Sequence, residues 1–196
     1  MRPNELIALV TFVAVGSGSP GPNNTLLLAS GVTFGFRRTI RHVVGTSLGL
    51  ALLVGIAAAG AGVVVTAAPG VKVMLKVVAS VYLVYLAARL ARGAALDPAA
   101  VQRPFGVARA TAFQFVNPKA WVFALALVSA FAPTSGSAVD AGIAVLAVSI
   151  VVGATAALWA VGGTTLSHAL EDDRARRAAG LALGALLMAS VAFLWV

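Results

Sequence analysis

Apolar residues fall along the chain in six long runs, with most of the charged residues between them. The runs extend from Leu6 to Val32, Val43 to Ala68, Val71 to Leu90, Ala108 to Ala132, Ala138 to Gly163 and Ala178 to Val196. A helix rises about 1.5 Å per residue and needs roughly 20 apolar residues to cross a hydrocarbon core about 30 Å thick, so each run predicts one transmembrane helix. The connections are Phe34 to Arg41, Ala68-Pro69-Gly70, Arg89 to Arg109, Ala132 to Ser137 and Ser167 to Arg177. None is long enough to fold alone. The expectation is a single all-α integral membrane domain over residues 1–196.

The first run is broken in its middle by Ser17-Gly18-Ser19-Pro20-Gly21-Pro22-Asn23-Asn24, inside 31 residues from Leu6 to Phe36 that carry no charge. Unbroken, that stretch would make a helix of about 46 Å, longer than the membrane requires. Two prolines remove backbone donors and strain a helix, and lipid-facing backbone cannot leave such groups unpaired. The break must therefore lie where protein or water lines it. Freed backbone at membrane depth beside polar Asn23, Asn24 and Thr25 is the usual material of a transport site.

The fourth run holds a second break, Gln114-Phe115-Val116-Asn117-Pro118-Lys119-Ala120-Trp121. Lys119 falls about eleven residues into its run, roughly 16 Å deep. A charge at that depth costs at least ~2.5–3.5 kcal/mol. Two accounts offset the cost: a buried cation that attracts a substrate carboxylate together with broken-helix amides, or a lysine that ties freed carbonyls without touching substrate. The residues leave both open. The spans are otherwise read as free of acidic partners.

Pro22 and Pro118 are 96 residues apart, and the same shift lays Val43 to Ala68 over Val139 to Thr164. Two units of three spans, about 1–96 and 104–196, are thus expected. With an odd number of spans each, they must enter the membrane from opposite sides. Inverted repeats with broken first helices characterise secondary transporters, whose site lies where the breaks meet.

Composition agrees: 60% of residues are hydrophobic and 10% charged, with a mean hydropathy of +0.99. With no cysteine, thiolate metal sites, disulfides and a cysteine nucleophile are excluded. The net charge of +8 comes from arginines set between apolar runs, so topology explains it better than nucleic acid. The first, third and fifth connections carry Arg37, Arg38, Arg41, Arg89, Arg92, Arg103, Arg109, Arg174, Arg176 and Arg177, against Arg2, Lys72 and Lys76 opposite. By the positive-inside rule the arginine side is cytoplasmic, and both termini of a bacterial inner-membrane protein would be periplasmic. Arg2 before an apolar run resembles a signal peptide, but Pro20 and Pro22 crowd the cleavage region and the apolar run resumes at once.

Several motifs are set aside. Gly16, Gly18 and Gly21 spell a dinucleotide fingerprint without its strand or its downstream acid. No G-x-S-x-G elbow or H-E-x-x-H occurs, and His42 and His168 lie in or beside cytoplasmic connections. No catalytic residue, metal site or cofactor is expected. Gly31 and Gly35, Gly45 and Gly49, and Gly180 and Gly184 have the small-xxx-small spacing of close helix packing, within the monomer or at a homodimer seam. Lys72 and Lys76 either snorkel to the interface or line an exit path. Trp121, Trp159, Tyr82 and Tyr85 either face substrate or pack between helices.

Pro20-Gly21-Pro22-Asn23, Gly45-x-x-x-Gly49, Leu75-Lys76 through Tyr82-Leu83-Val84-Tyr85-Leu86, and Asn117-Pro118-Lys119-Ala120 together resemble the LysE/RhtB family of amino-acid exporters over nearly the whole chain. The resemblance implies export of an amino acid or derivative from the cytoplasm, driven by protons. Departures are Gln114, where the family often has asparagine, and Ala79 and Ala87, where it often has glycine. An acidic proton carrier within the spans has no counterpart. The expected substrate-binding residues are Pro20, Gly21, Pro22, Asn23, Asn24, Gln114, Asn117, Pro118 and Lys119. The alternatives on the same scaffold are export of another small solute or ion, or a passive channel.

Overall fold

The structure, a computed structural model, describes residues 2–61, 69–92, 103–131, 138–167, 170 and 172–195. Its elements are α1 (Pro3–Gly18), α2 (Pro22–Ile56) continued by a wider π-type turn (Ala57–Ala61), α3 (Pro69–Ala91), α4 (Val107–Val116), α5 (Pro118–Phe131), α6 (Ala138–Ser167) and α7 (Asp173–Trp195). By length and composition three stretches can cross a membrane, Pro22–Gly60, Val139–Ser167 and Arg174–Ala192, and a fourth is the pair α4–α5, bent by 75°. Both breaks fall where the prolines place them.

The helix α2 is not one rod. Gly35 adopts φ 74 and ψ 165, a region open in practice to glycine alone, and splits α2 into arms α2a (22–34) and α2b (36–56). In a straight helix Asn23 and Thr46 would stand roughly 34 Å apart. Instead the Thr46 hydroxyl donates to Asn23 Oδ1 at 3.2 Å, and the Ser30 and Thr39 hydroxyls meet at 2.9 Å. The arms form a hairpin. This corrects the expected loop from Phe34 to Arg41: a single glycine reverses the chain, and Arg37, Arg38 and Arg41 already belong to α2b. It also corrects the pairing of Gly31 with Gly35, since Gly35 is a turn and has nothing near its absent side chain.

The remaining small residues bring backbones together. A Cβ on Gly31 would collide with the Ala160 carbonyl oxygen of α6, and one on Gly163 with the Leu28 carbonyl oxygen of α2a. On the other arm, a Cβ on Gly49 would lie 2.8 Å from the Thr111 oxygen of α4, and the Thr111 hydroxyl donates to the Gly45 oxygen at 3.1 Å. Gly184 of α7 packs on α3, where a Cβ would come 3.0 Å from the Ala87 carbonyl oxygen. Trp195 Nε1 donates to Ser80 Oγ at 2.9 Å, and Lys76 Nζ stands 5.5 Å over the Trp195 ring. The side chain of Lys72 lies outside the described residues.

Three apolar cores form among the described residues: a small one joins α2a, α2b and α6 through Leu27, Val43, Ala156 and Ala160, and two are larger. One joins α1, α2b, α5 and α6 through Leu9, Val13, Leu53, Phe123 and Val152. The other joins α2a, α3, α4 and α7 through Ala29, Leu83, Leu90, Phe113 and Leu187. Outward, large apolar side chains stay uncovered, such as Val81 at 66%, Val122 at 69% and Leu158 at 70%. Water would penalise such a surface and lipid would not. The chain is a multi-pass membrane protein.

Charged groups gather at one end. Phe34 beside the Gly35 turn, Arg89 near the end of α3 and Arg103 before α4 line one cavity. The helix α7 starts at Asp173, five residues earlier than expected, so Arg174, Arg176 and Arg177 join its first turns. One expectation needs correcting: Asp140 lies within a predicted span, although in the first turn of α6, where the helix dipole favours an anion. The outer end of the second span, His168 and Glu171 lie outside the described residues.

Candidate functional site

At the first break, α1 ends at Gly18 and α2a begins at Pro22. Helix ends strand carbonyls, which in an apolar surrounding need partners. Each carbonyl from Gly16 to Pro20 has one here. Ser19 Oγ donates to Gly16 O at 2.9 Å, Asn24 Nδ2 to Ser17 O at 2.6 Å and Ser19 O at 2.8 Å, and Trp159 Nε1 to Gly18 O at 3.0 Å. Lys119 Nζ donates to Ser19 O at 2.6 Å, Ser19 Oγ at 2.7 Å and Pro20 O at 3.1 Å. That ammonium sits at the negative end of α1, and its three donors are used. Of the two accounts of Lys119, tying freed carbonyls is the contact observed.

Glycine makes room for this. A Cβ on Gly21 would come 2.7 Å from Lys119 Cδ, and one on Gly16 would strike the Phe123 ring. The hydroxyls of Ser17 and Thr155 meet at 2.8 Å, which fixes the end of α1 on α6.

At the second break Asn117 takes φ -89 and ψ 108 between α4 and α5, an extended geometry expected before proline. Trp121 Nε1 donates to Phe115 O at 2.8 Å. Gln114 Nε2 donates to Asn23 Oδ1 at 2.8 Å, and Asn117 Nδ2 reaches Gln114 Oε1 at 3.4 Å. With Thr46 on the same Asn23 oxygen, a buried polar chain Thr46–Asn23–Gln114–Asn117 joins the two breaks. Asn117 Oδ1 is buried without a partner, which leaves an unused acceptor in an interior where such groups are normally paired.

These groups line a cavity of about 40 Å³ between α1, α2, α4, α5 and α6, where Lys119 is the one charged lining residue among the described residues. That volume holds a few water molecules. It has a cation, amide acceptors and donors, and the N-terminus of α2a, whose first amides lack intrahelical partners. A dipolar molecule with one anionic and one cationic group matches that set.

Of the residues predicted from sequence, Gly21, Asn23, Asn24, Gln114, Asn117 and Lys119 line this cavity. Pro20 contributes its carbonyl to Lys119, while Pro22 and Pro118 begin α2a and α5. Sequence reading missed Thr46 and Thr155, polar residues on otherwise apolar helices. Trp121 and Trp159 resolve into packing between helices, each bonded to a carbonyl of a break. Tyr82 tilts against Phe113, ring centroids 5.7 Å apart.

Broken, closely packed apolar helices around a small polar cavity suit a membrane translocator. The LysE type translocator family matches residues 14–196, and the chain belongs to it. Among curated relatives, the cysteine/O-acetylserine efflux protein of Salmonella choleraesuis is 29% identical over 172 residues, covering 87% of this chain and 88% of its own. The cysteine/O-acetylserine efflux protein of Escherichia coli (strain K12) is 29% identical over 131 residues, 67% of each. No solved structure matches.

Proposed function

We propose that this protein is a secondary active exporter that moves a small neutral amino acid, of the cysteine or O-acetylserine kind, out of the cytoplasm. The observation that carries the reading is the cavity between the two breaks, with Lys119 as its cation and Asn117 Oδ1 as its unused acceptor. The ammonium of an amino acid would donate to Asn117 Oδ1. Its carboxylate would lie against the free amides of Asn23 and Asn24, with Lys119 setting the local positive potential. Among the described residues the lining has no carboxylate, which disfavours a dicationic substrate.

Six crossings are part of the proposal: α1 with α2a, α2b, α3, α4 with α5, α6, and α7. The reversal at Gly35 supports counting α2b separately. Two inverted units, about 1–96 and 104–196, would rock about the cavity, with the arginine-rich end cytoplasmic and both termini periplasmic in an inner membrane. Proton drive belongs to the same reading. With no histidine or carboxylate in the lining, coupling falls to Lys119 or to protonation of the substrate itself.

The test is uptake of a mixture of labelled amino acids by inverted membrane vesicles with and without an acid-inside proton gradient. Saturable, gradient-stimulated accumulation of cysteine or O-acetylserine is expected. Flux that is absent for every amino acid, or that neither saturates nor responds to the gradient, favours another solute or a passive channel.

A further inference from the structure

The second cavity, about 90 Å³, lies at the arginine-rich end between α2, α3 and the start of α4. Among the described residues, its walls carry His42, Arg89, Arg103 and Arg109, and no carboxylate. His42 is 1% exposed, yet neither ring nitrogen has a partner. A neutral imidazole carries one donor and one acceptor, and buried polar groups are rarely left unpaired. The histidine is held in place all the same: its ring stacks on Phe105 at 5.0 Å, and the Arg109 guanidinium covers the same phenyl ring at 4.2 Å.

Among the described residues, Arg89, Arg103 and Arg109 form no ion pair. Arg103 and Arg109 are exposed, so the cavity can be reached from outside. Three cations and an unused imidazole N–H converge on one small space. That donor set fits the planar or tetrahedral oxygens of an anion, which guanidinium forks bind bidentately.

The cavity also lies close to the polar chain that joins the breaks. His42 is four residues from Thr46, Ser30 seven from Asn23, and Arg109 five from Gln114, distances of roughly 6–11 Å along their helices.

We infer that this cavity is a second binding site, for a small oxyanion, with Arg89, Arg103, Arg109 and His42 as its donors. The anionic group comes either from a soluble carboxylate or phosphate, or from the headgroup phosphate of an anionic lipid. The site stands apart from the transport reading, because its occupancy is measured without flux.

The test uses the full chain carrying His168→Gln, so that His42 is the sole histidine, with nitrogen-15-labelled histidine in a maltoside detergent. Inorganic phosphate is titrated at neutral pH, with ionic strength held constant by chloride. A saturable shift of the His42 ring nitrogens is expected, with the apparent Kd raised roughly tenfold by Arg103→Gln or Arg89→Gln. Displacement of phosphate by phosphatidylglycerol but not phosphatidylcholine would assign the lipid source; displacement by acetate or cysteine would assign the soluble one. If the arginine variants do not fold, melting of the unmutated protein decides, with phosphate raising the midpoint above matched chloride. A His42 signal that phosphate does not shift, or shifts equally in folded arginine variants, overturns the site, as does a midpoint equal in both salts.

Discussion

The Lys119 ammonium lies 2.6 Å from the Ser19 carbonyl oxygen, across 100 residues of chain. One helix start thus supplies the donors that another helix end lacks, and the two breaks hold each other together. Lysine at membrane depth is the residue a sequence reading finds hardest to place, and this contact gives its reason.

Replacing Lys119 with methionine removes three bonds to Ser19 and Pro20. Bonds to charged groups are worth about 1.5–3 kcal/mol each. Set against a burial cost of ~2.5–3.5 kcal/mol on insertion scales, a net loss of about 1 kcal/mol or more is expected. The detergent melting midpoint should fall, and Lys119→Arg should recover part of it.

Gly21→Ala should act through the same lysine. The backbone there has φ 172, which any residue adopts, so the penalty is purely the Cβ placed 2.7 Å from Lys119 Cδ. A double-mutant cycle with Lys119→Ala in a melting assay should then be non-additive, with Gly21→Ala nearly silent once the lysine is truncated. Additive losses would contradict the contact.

The glycines between helices should divide by what faces them. Gly31→Ala and Gly163→Ala drive a methyl into backbone carbonyls, which no rotamer change relieves, so folded yield should drop several-fold on size exclusion. Gly55→Ala meets nothing within 4 Å. It should be neutral or stabilising by about 0.5–1 kcal/mol through helix propensity.

Gly35→Ala should cost about 1–3 kcal/mol in a melting assay, because φ 74 with ψ 165 is strained for any residue with a Cβ. A wild-type midpoint would mean that the hairpin turns in some other way.

Much of this architecture was legible in the sequence. Run length and the two proline breaks gave the helices, because lipid forces apolar spans and proline forces gaps. The reversal at Gly35 was not legible: arginine is a good helix former, so three arginines after a glycine look like a loop only to a charge count. For Lys119 the sequence left two accounts open, and the bonds to Ser19 and Pro20 that favour the tether are visible only in space. Thr46 and His42 were invisible as partners or orphans, since hydrogen-bond satisfaction is a property of contacts and not of spacing. Asp140 shows the reverse error, where an acid at a span's end turn escaped a reading of its apolar middle.

The central claim is that substrate sits between the breaks, on Asn117. Its most direct test is cysteine uptake by proteoliposomes under a proton gradient, comparing the unmutated protein with Asn117→Ala and Gly55→Ala at equal reconstituted amounts. The account predicts that Asn117→Ala lowers saturable uptake by at least roughly tenfold, the loss of one good hydrogen bond to a charged group, while Gly55→Ala transports normally. Equal uptake by the Asn117→Ala protein, with unchanged half-saturation, would contradict it.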